Sequence, residues 1–278
     1  MAREFTKYNS DFHNGNHKQL ENMEQTISRY TQSTERILKH LPNVVCLQEC
    51  SEDFFSEDYN KHSYDLKTKY HIIQHNKDTP GVCVLIHKDF GREIPVTQFG
   101  SLRVGGSDDV GGRSKKALGV LVETKSGHHI LVCSVHLCWE KTLEDGSVGP
   151  KEKANKLLNL LGQKLLEKNK NLYPVILTGD FNMEPTELYT LKKTFLSDLT
   201  MVPITNPTGL GPKFDIETQI DHVYSNLEPI DFEMGSDDLK VKKVDTHGQT
   251  VSAGPYIIDS NEIQSPSDHI WIKVNFRL

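Results

Sequence analysis

The chain has 278 residues, of which 36% are apolar, 8% aromatic and 25% charged. These values are ordinary for a globular protein and allow a large hydrophobic core. The formal net charge of −6 argues against a surface that binds polyanions over its whole area, whereas a local basic patch, or carboxylates gathered around a cation, would be compatible with it.

The first residues of the chain and the pattern of its cysteines indicate the cellular compartment of the protein. The first 18 residues contain no apolar stretch that could act as a signal peptide, and no run approaches membrane-spanning length. None of the five cysteines forms a C-x-x-C pair, and three lie in apolar runs typical of buried strands. We therefore expect reduced cysteines in an intracellular protein, cytoplasmic or nuclear, that is neither secreted nor integral to a membrane.

The first regular element is a predicted helix. Apolar residues recur at close to helical spacing from Leu20 to Leu41, and Pro42 follows where a helix should end. The next segment, VVCLQEC, is typical of a short buried strand.

Further strands and helices alternate along the chain. Strands are predicted at Val82 to Ile86, Ala117 to Val122, Ile130 to Leu137, Val175 to Leu177 and Ile270 to Phe276. Amphipathic helices are predicted at 151–168 and 186–199, and loops that could border a substrate at 100–116 and 203–215. Interleaved strands and helices without a linker favour one α/β layered domain over residues 1–278.

Polar residues follow the apolar strands at the points where sites are commonly built. These residues are Glu49, His136, Asp180, Asn182, Asp221, Asp268 and His269. Asp180 and Asn182 are two residues apart, so their side chains would point the same way if strand geometry continued past Gly179. An acceptor and an amide would then face one reacting water.

The residue types also indicate a cofactor. Glu49 and Asp268 supply hard oxygen ligands, which suit Mg²⁺ or Mn²⁺ better than Zn²⁺. A histidine beside a carboxylate, with a second aspartate to orient the ring, is typical of groups that polarise a phosphate or activate water. His269 with Asp221 would fit that arrangement.

The ordered motifs LQE, S-x-H-L, GDFN, ID-x-V-Y and SDH resemble those of the endonuclease/exonuclease/phosphatase superfamily. The resemblance spans residues 47 to 269. It implies a four-layer α/β/β/α sandwich, in which two mixed β-sheets lie face to face with helices outside, and in which the motifs meet at one end.

The resemblance also implies individual roles. Glu49 would bind the metal, Asp180 would orient or deprotonate the attacking water, and Asn182 would position the phosphate. His269, partnered by Asp221, would contact the phosphate, while His136 would stabilise the transition state and Asp268 would serve as a metal ligand. The first motif of the family is an asparagine after the first strand, for which Asn9 is the candidate and Asn14 and Asn16 are alternatives.

Two further residues are candidates for substrate contact. Arg113 follows a glycine-rich loop and could reach a phosphate, although such a charge run is more often a solvated face. Trp139 follows the histidine motif as HLCW, which is similar to the deadenylase and 2′,5′-phosphodiesterase branch, and it could stack a base or simply pack.

These patterns together predict a monomeric, metal-dependent phosphodiesterase that acts by in-line attack of water on a nucleic acid or nucleotide substrate. Two alternatives stay open. The same catalytic centre would serve a sphingomyelinase-like or phosphoinositide phosphatase-like lipid phosphoesterase, and the same fold could be a catalytically silent binding module.

Overall fold

The computed structural model describes residues 23–74, 81–94, 102–105, 116–137, 158–163, 173–186, 188, 199–203, 209–210, 217–234, 243–244, 250–251 and 272–278. Helices α1 (Met23–His40) and α2 (Ser63–Lys69) lie in this part of the chain, with a 3₁₀ turn at Glu52–Phe55. Residues 158–163, 185–186 and 188 are also helical.

The strands are numbered in chain order over the same described residues. The first eight are β1 (Val44–Cys50), β2 (Tyr70–Gln74), β3 (Gly81–His87), β4 (Gly91–Glu93), β5 (Leu102–Gly105), β6 (Lys116–Thr124), β7 (His129–His136) and β8 (Val175–Asp180). The others are β9 (Thr200–Met201), β10 (Gly209–Leu210), β11 (Glu217–Thr218), β12 (Asp221–Ser225), β13 (Pro229–Met234), β14 (Lys243–Val244), β15 (Thr250–Val251) and β16 (Ile272–Phe276).

The described strands form one small and one large sheet with three separate pairs. The small sheet is antiparallel in the order β1-β3-β2, and the large sheet runs β4-β6-β7-β8-β12-β9 with β5 also paired to β6. Within the large sheet β7 and β8 are parallel, whereas β6, β7, β8 and β12 otherwise pair antiparallel. The large sheet is therefore mixed, as expected.

Alternation along β3 shows that the small sheet is buried on both faces. Val82, Val84 and Ile86 pack in one cluster with Leu118, Val120 and Val132 of the large sheet. Cys83 and Leu85, which point the other way, pack instead with Tyr30 of α1 and Leu66 of α2. The small sheet thus lies between helices and the large sheet.

The outer face of the large sheet is covered in the same way. Leu131, Cys133 and Val135 of β7 pack with Leu158 and Leu161 of the helical segment at 158–163, and with Leu188. The described layers follow the order helix, sheet, sheet, helix, which agrees with the expected four-layer sandwich.

The sequence pattern predicted most of the buried strands and missed the short strands within the two predicted loops. The predicted helix and the strands at 44–50, 82–86, 117–122 and 130–137 agree with the structure to within about three residues. The predicted loop at 100–116 was wrong over Leu102–Gly105, which pairs with β6, and the loop at 203–215 was wrong over Gly209–Leu210, which pairs with β11. Both strands are short and lie in glycine-rich segments, which are typical of loops, and each pairs with its neighbour through backbone hydrogen bonds.

A buried asparagine holds the segment after β1 against α1. The Asn60 side chain donates from Nδ2 to the Thr34 hydroxyl and to the Phe54 carbonyl, each at 2.7 Å, and accepts from the His62 amide at 3.1 Å. Asn60 and Thr34 are fully buried. These bonds fix the chain that leaves the candidate site on β1.

We expect Asn60→Ala to lower the free energy of unfolding by about 2–3 kcal/mol, because it leaves buried polar groups without partners. Urea denaturation measures this change. Gln32→Ala, which removes only an exposed bond to Ser28 within the same helix, is the control and should change stability by less than about 0.5 kcal/mol. Equal effects of the two substitutions would contradict this account.

Candidate active site

Three candidate residues lie opposite one another at one end of the large sheet. In the parallel pair β7 and β8, His136 is opposite Asp180, and in the antiparallel pair β8 and β12, Asp180 is opposite Asp221. Residues in register on neighbouring strands direct their side chains to the same face. His136, Asp180 and Asp221 therefore form one row, and all three are buried.

The row faces the small sheet. His136 shares its face of β7 with Ile130 and Val132, which belong to the core between the two sheets. On that face Gln48 of β1 donates to the Ser134 hydroxyl at 3.0 Å, across the space between the sheets. The candidate site thus lies at the end of the inter-sheet core, where β1 approaches β7.

Glu49 reaches the row from the small sheet. Its Oε1 atom lies 3.7 Å from Nε2 of His136, and Oδ2 of Asp180 lies 3.4 Å from the same nitrogen. The histidine ring is 2% exposed, whereas the Glu49 side chain is 28% exposed. Two carboxylates therefore flank one buried ring nitrogen, and they would compensate a positive charge on it.

The backbone of Glu49 departs from regular strand geometry. The register of β1 against β3 shifts between Leu47 and Cys50, and Glu49 has a φ of +52°. A bulge of this kind redirects a side chain at the edge of a sheet. Here it accompanies the approach of the Glu49 carboxylate to His136.

Asp180 and Asn182 meet through a turn and not through a continued strand. β8 ends at Asp180, and Asn182 has a φ of +52° in the left-handed region. The backbone amide of Asn182 donates to Oδ1 of Asp180 at 2.7 Å, and its side-chain Nδ2 donates to Oδ2 at 2.9 Å. The sequence prediction assumed that strand geometry continues past Gly179 to Asn182, and this assumption was wrong. The two side chains nevertheless lie together, because the turn brings them into contact.

Both amide hydrogens of Asn182 are donated within the protein. Besides the bond to Asp180, Nδ2 donates to the Leu137 carbonyl at 2.7 Å. The Leu137 amide in turn donates to the Asp180 carbonyl at 2.9 Å. Asn182 thus joins the ends of β7 and β8 and orients the Asp180 carboxylate.

Gly179 permits a close approach between the β8 and β7 backbones at the site. It has a φ of +140°, and a Cβ atom placed there would overlap the Val135 carbonyl oxygen and lie 3.0 Å from Nε2 of Gln48. A side chain at this position would meet a backbone that cannot move easily. The site therefore requires glycine immediately before Asp180.

The other candidate residues are not placed. Asn9, Asn14, Asn16, Arg113, Trp139, Asp268 and His269 lie outside the described residues. Sequence reasoning did not select Gln48, Gly179 or His222, which the structure places around the row. Gln48 and Gly179 do fall inside the LQE and GDFN motifs, whereas His222 occupied the unspecified position of ID-x-V-Y.

The donor set near the row suits a hard cation. Carboxylates of Glu49 and Asp180 flank His136, Asp221 is opposite Asp180 in the sheet, and the partly exposed Glu49 carboxylate is accessible to an ion. Within the described ranges no group of three or more His, Cys, Asp or Glu side chains could by itself hold a metal. Two of the three predicted ligands, Asn9 and Asp268, lie outside those ranges.

Residues 8–269 match the model of the Endonuclease/Exonuclease/phosphatase family. The match covers far more than half of the chain, so this protein belongs to that family. The family comprises nucleases and phosphoesterases, which generally use divalent metal ions. No curated protein has a matching sequence.

Solved structures of this class share the fold. One is TDP2 from D. rerio complexed with single strand DNA product, with a TM-score of 0.63 and 13% identity over 91% of this chain and 93% of that chain. Truncated TDP2 from Caenorhabditis elegans has a TM-score of 0.59 and 15% sequence identity, and the match covers 91% of each chain. The human Nocturnin catalytic domain with bound sulfate has a TM-score of 0.55 and 17% sequence identity, and the match covers 90% of this chain and 86% of that chain. These similarities confirm the expected fold class.

We expect Gly179→Ala to destabilise the protein by about 3 kcal/mol or more, because it adds a clash with Val135 to the cost of a positive φ. Gly127→Ala is a matched control, since Gly127 also has a positive φ of 84° but has no atom within 4 Å of its Cβ position. Gly127→Ala should lower the free energy of unfolding by only about 1–2 kcal/mol. Equal losses in urea denaturation would show that the close approach is not a constraint.

Proposed function

We propose that this protein is a magnesium-dependent phosphodiesterase that hydrolyses nucleic acid or oligonucleotide substrates by in-line attack of water on phosphorus. The observation that carries the proposal is the in-register row of His136, Asp180 and Asp221, which faces the Glu49 carboxylate. A water-activating carboxylate, an imidazole and an acidic cation site thereby share one end of the sandwich.

Asp180 acts on the attacking water in this proposal. Its carboxylate is held by the amide and the side chain of Asn182 and lies beside Nε2 of His136. A fixed carboxylate acceptor can orient a water molecule and take its proton as the bond to phosphorus forms. The proposed role of Asn182 is to set that orientation, and contact with the phosphate would require it to exchange one of its two internal bonds.

His136 supplies the donor for the phosphate oxygens. Its Nε2 atom faces Asp180 and Glu49 at one end of the buried ring, so a protonated ring there would donate toward negative charge that develops on the phosphate. By sequence resemblance His269, partnered by Asp221, would be a second donor on the same phosphate.

Glu49, together with Asp268 and Asn9, would hold the magnesium ion, and Mn²⁺ could replace it. When bound, the ion supplies charge neutralisation on the phosphate oxygens and the leaving group. Glu49 meets the requirement of a hard, accessible oxygen donor beside the row.

Two features support a nucleic acid substrate over a lipid. The family contains nucleases, and the similar structure of D. rerio TDP2 is a complex with a single strand DNA product. Trp139, which follows the histidine motif, and Arg113, which follows a glycine-rich loop, would contact a base and a phosphate.

The proposed enzyme is a single catalytic domain that acts as a monomer. The described part of the chain has no helix long and apolar enough to cross a membrane.

We expect the purified protein to cleave at least one of single-stranded RNA, single-stranded DNA or double-stranded DNA with Mg²⁺, and to lose this activity in excess EDTA. The assay compares these labelled substrates with sphingomyelin and phosphoinositide vesicles under both conditions. Turnover of lipid without turnover of any nucleic acid would reject the proposed substrate. Absence of turnover on every substrate, with and without metal, would favour the binding module instead.

Asp180→Asn should lower kcat about 10²- to 10⁴-fold, because the amide cannot accept the proton of the attacking water. Asp89→Asn is the control, since it removes an exposed carboxylate that is paired with Lys125 on the surface, and it should retain wild-type kcat. Steady-state kinetics on the preferred substrate compares the two variants. Wild-type kcat in Asp180→Asn would remove Asp180 from the mechanism.

A further inference from the structure

His222 occupies a buried position directly behind the candidate site. It follows Asp221 in β12, so its side chain points to the opposite face of the strand and away from the row. The residue is 1% exposed and is opposite Gly179 of β8. It therefore cannot touch a substrate on the face that carries Asp180.

The ring of His222 anchors the turn that contains Asn182. Its Nε2 atom lies 2.7 Å from the Met183 carbonyl oxygen. A carbonyl only accepts, so Nε2 donates the hydrogen. Phe181, at the start of the same turn, packs edge to face against the ring with centroids 5.5 Å apart.

Two further hydrogen bonds join the same pair of segments. The Phe181 amide donates to the Ile220 carbonyl at 2.9 Å, and the Gln219 amide donates to Oε1 of Glu184 at 3.1 Å. The turn from Phe181 to Glu184 is thus fastened to residues 219–222 on both sides of Asn182.

A turn of this kind needs such anchors. Asn182 has a φ of +52°, a left-handed conformation that asparagine adopts more readily than most residues but that its surroundings must still hold in place. In this conformation its amide and its side chain both donate to the Asp180 carboxylate. Anything that holds Met183 in place therefore also holds the orientation of Asp180.

Burial keeps His222 suited to this task. Desolvation lowers the pKa of His222, against smaller raising contributions from its hydrogen bond to Met183, the charge of Asp221 and the backbone of Gln219. The ring stays neutral near pH 7, with one nitrogen protonated, and places no net charge behind the site.

We propose that His222 is a positioning residue for the hydrolytic reaction, which fixes Asn182 and through it the Asp180 carboxylate by its bond to the Met183 carbonyl. This inference rests on the proposed function of Asp180. A histidine that only fills the core would be replaceable by an apolar ring of similar size, whereas a positioning residue requires a donor at the Nε2 position.

The test compares His222→Phe, which keeps a ring but loses the donor, with His222→Gln, whose amide nitrogen can reach the position of Nε2. We expect His222→Phe to lower kcat about tenfold to a hundredfold with little change in KM, since misplacement of a catalytic group has effects of this size. His222→Gln should recover most of kcat. Leu131→Ala, a core substitution at the far end of β7, controls for general destabilisation and should leave kcat unchanged at a temperature where it is folded.

Hydrogen exchange at the Asn182 amide gives a readout that does not depend on activity. Its protection should fall in His222→Phe, and should persist in His222→Gln and in Leu131→Ala. The inference would be overturned if His222→Phe changed neither kcat nor the exchange of the Asn182 amide. It would also be overturned if Leu131→Ala reduced the protection of that amide as much as His222→Phe does. If the wild-type protein hydrolyses nothing, the proposed function fails, and the exchange comparison still decides whether His222 holds the turn.

Discussion

In the large sheet, β8 pairs in parallel with β7 and antiparallel with β12, and this register sets His136, Asp180 and Asp221 side by side. The other features of the candidate site depend on this arrangement. Glu49 meets the row at His136, and Asn182 holds Asp180 because β8 ends there in a left-handed turn. A shift of one residue in the register would turn Asp180 to the helix-covered face.

Burial explains which elements the sequence could predict. Strands β3, β6 and β7 are covered on both faces, so they are continuous apolar runs bounded by polar residues and were predicted to within a few residues. β13, in contrast, is PIDFEM with exposed charges, and its pairing with β16 forms through the backbone. Its apolar residues alternate with charged ones, but Ile230 and Phe232 are exposed, so the strand signal is weak and no buried run marks it.

For the part of the candidate site that the structure describes, the sequence predicted which residues lie together but not their geometry. Ordered motifs predicted Glu49, His136, Asp180, Asn182 and Asp221, and the structure places all five together at one end of the sandwich. The bulge at Glu49 and the internal bonds of Asn182 depend on contacts between distant segments. The same holds for Gln48 and His222, whose partners lie 86 and 39 residues away in sequence.

If His136 and Asp180 act in one hydrolytic site, as proposed, their substitutions must be coupled, and a double-mutant cycle tests this most directly. Kinetics would be measured for His136→Ala, Asp180→Asn and the double variant on one substrate. Residues that act together in one step are strongly non-additive, so the double variant should be little slower than the slower single variant. The proposal would be contradicted if the loss of kcat in the double variant equalled the product of the two single losses, or if either single variant kept wild-type kcat.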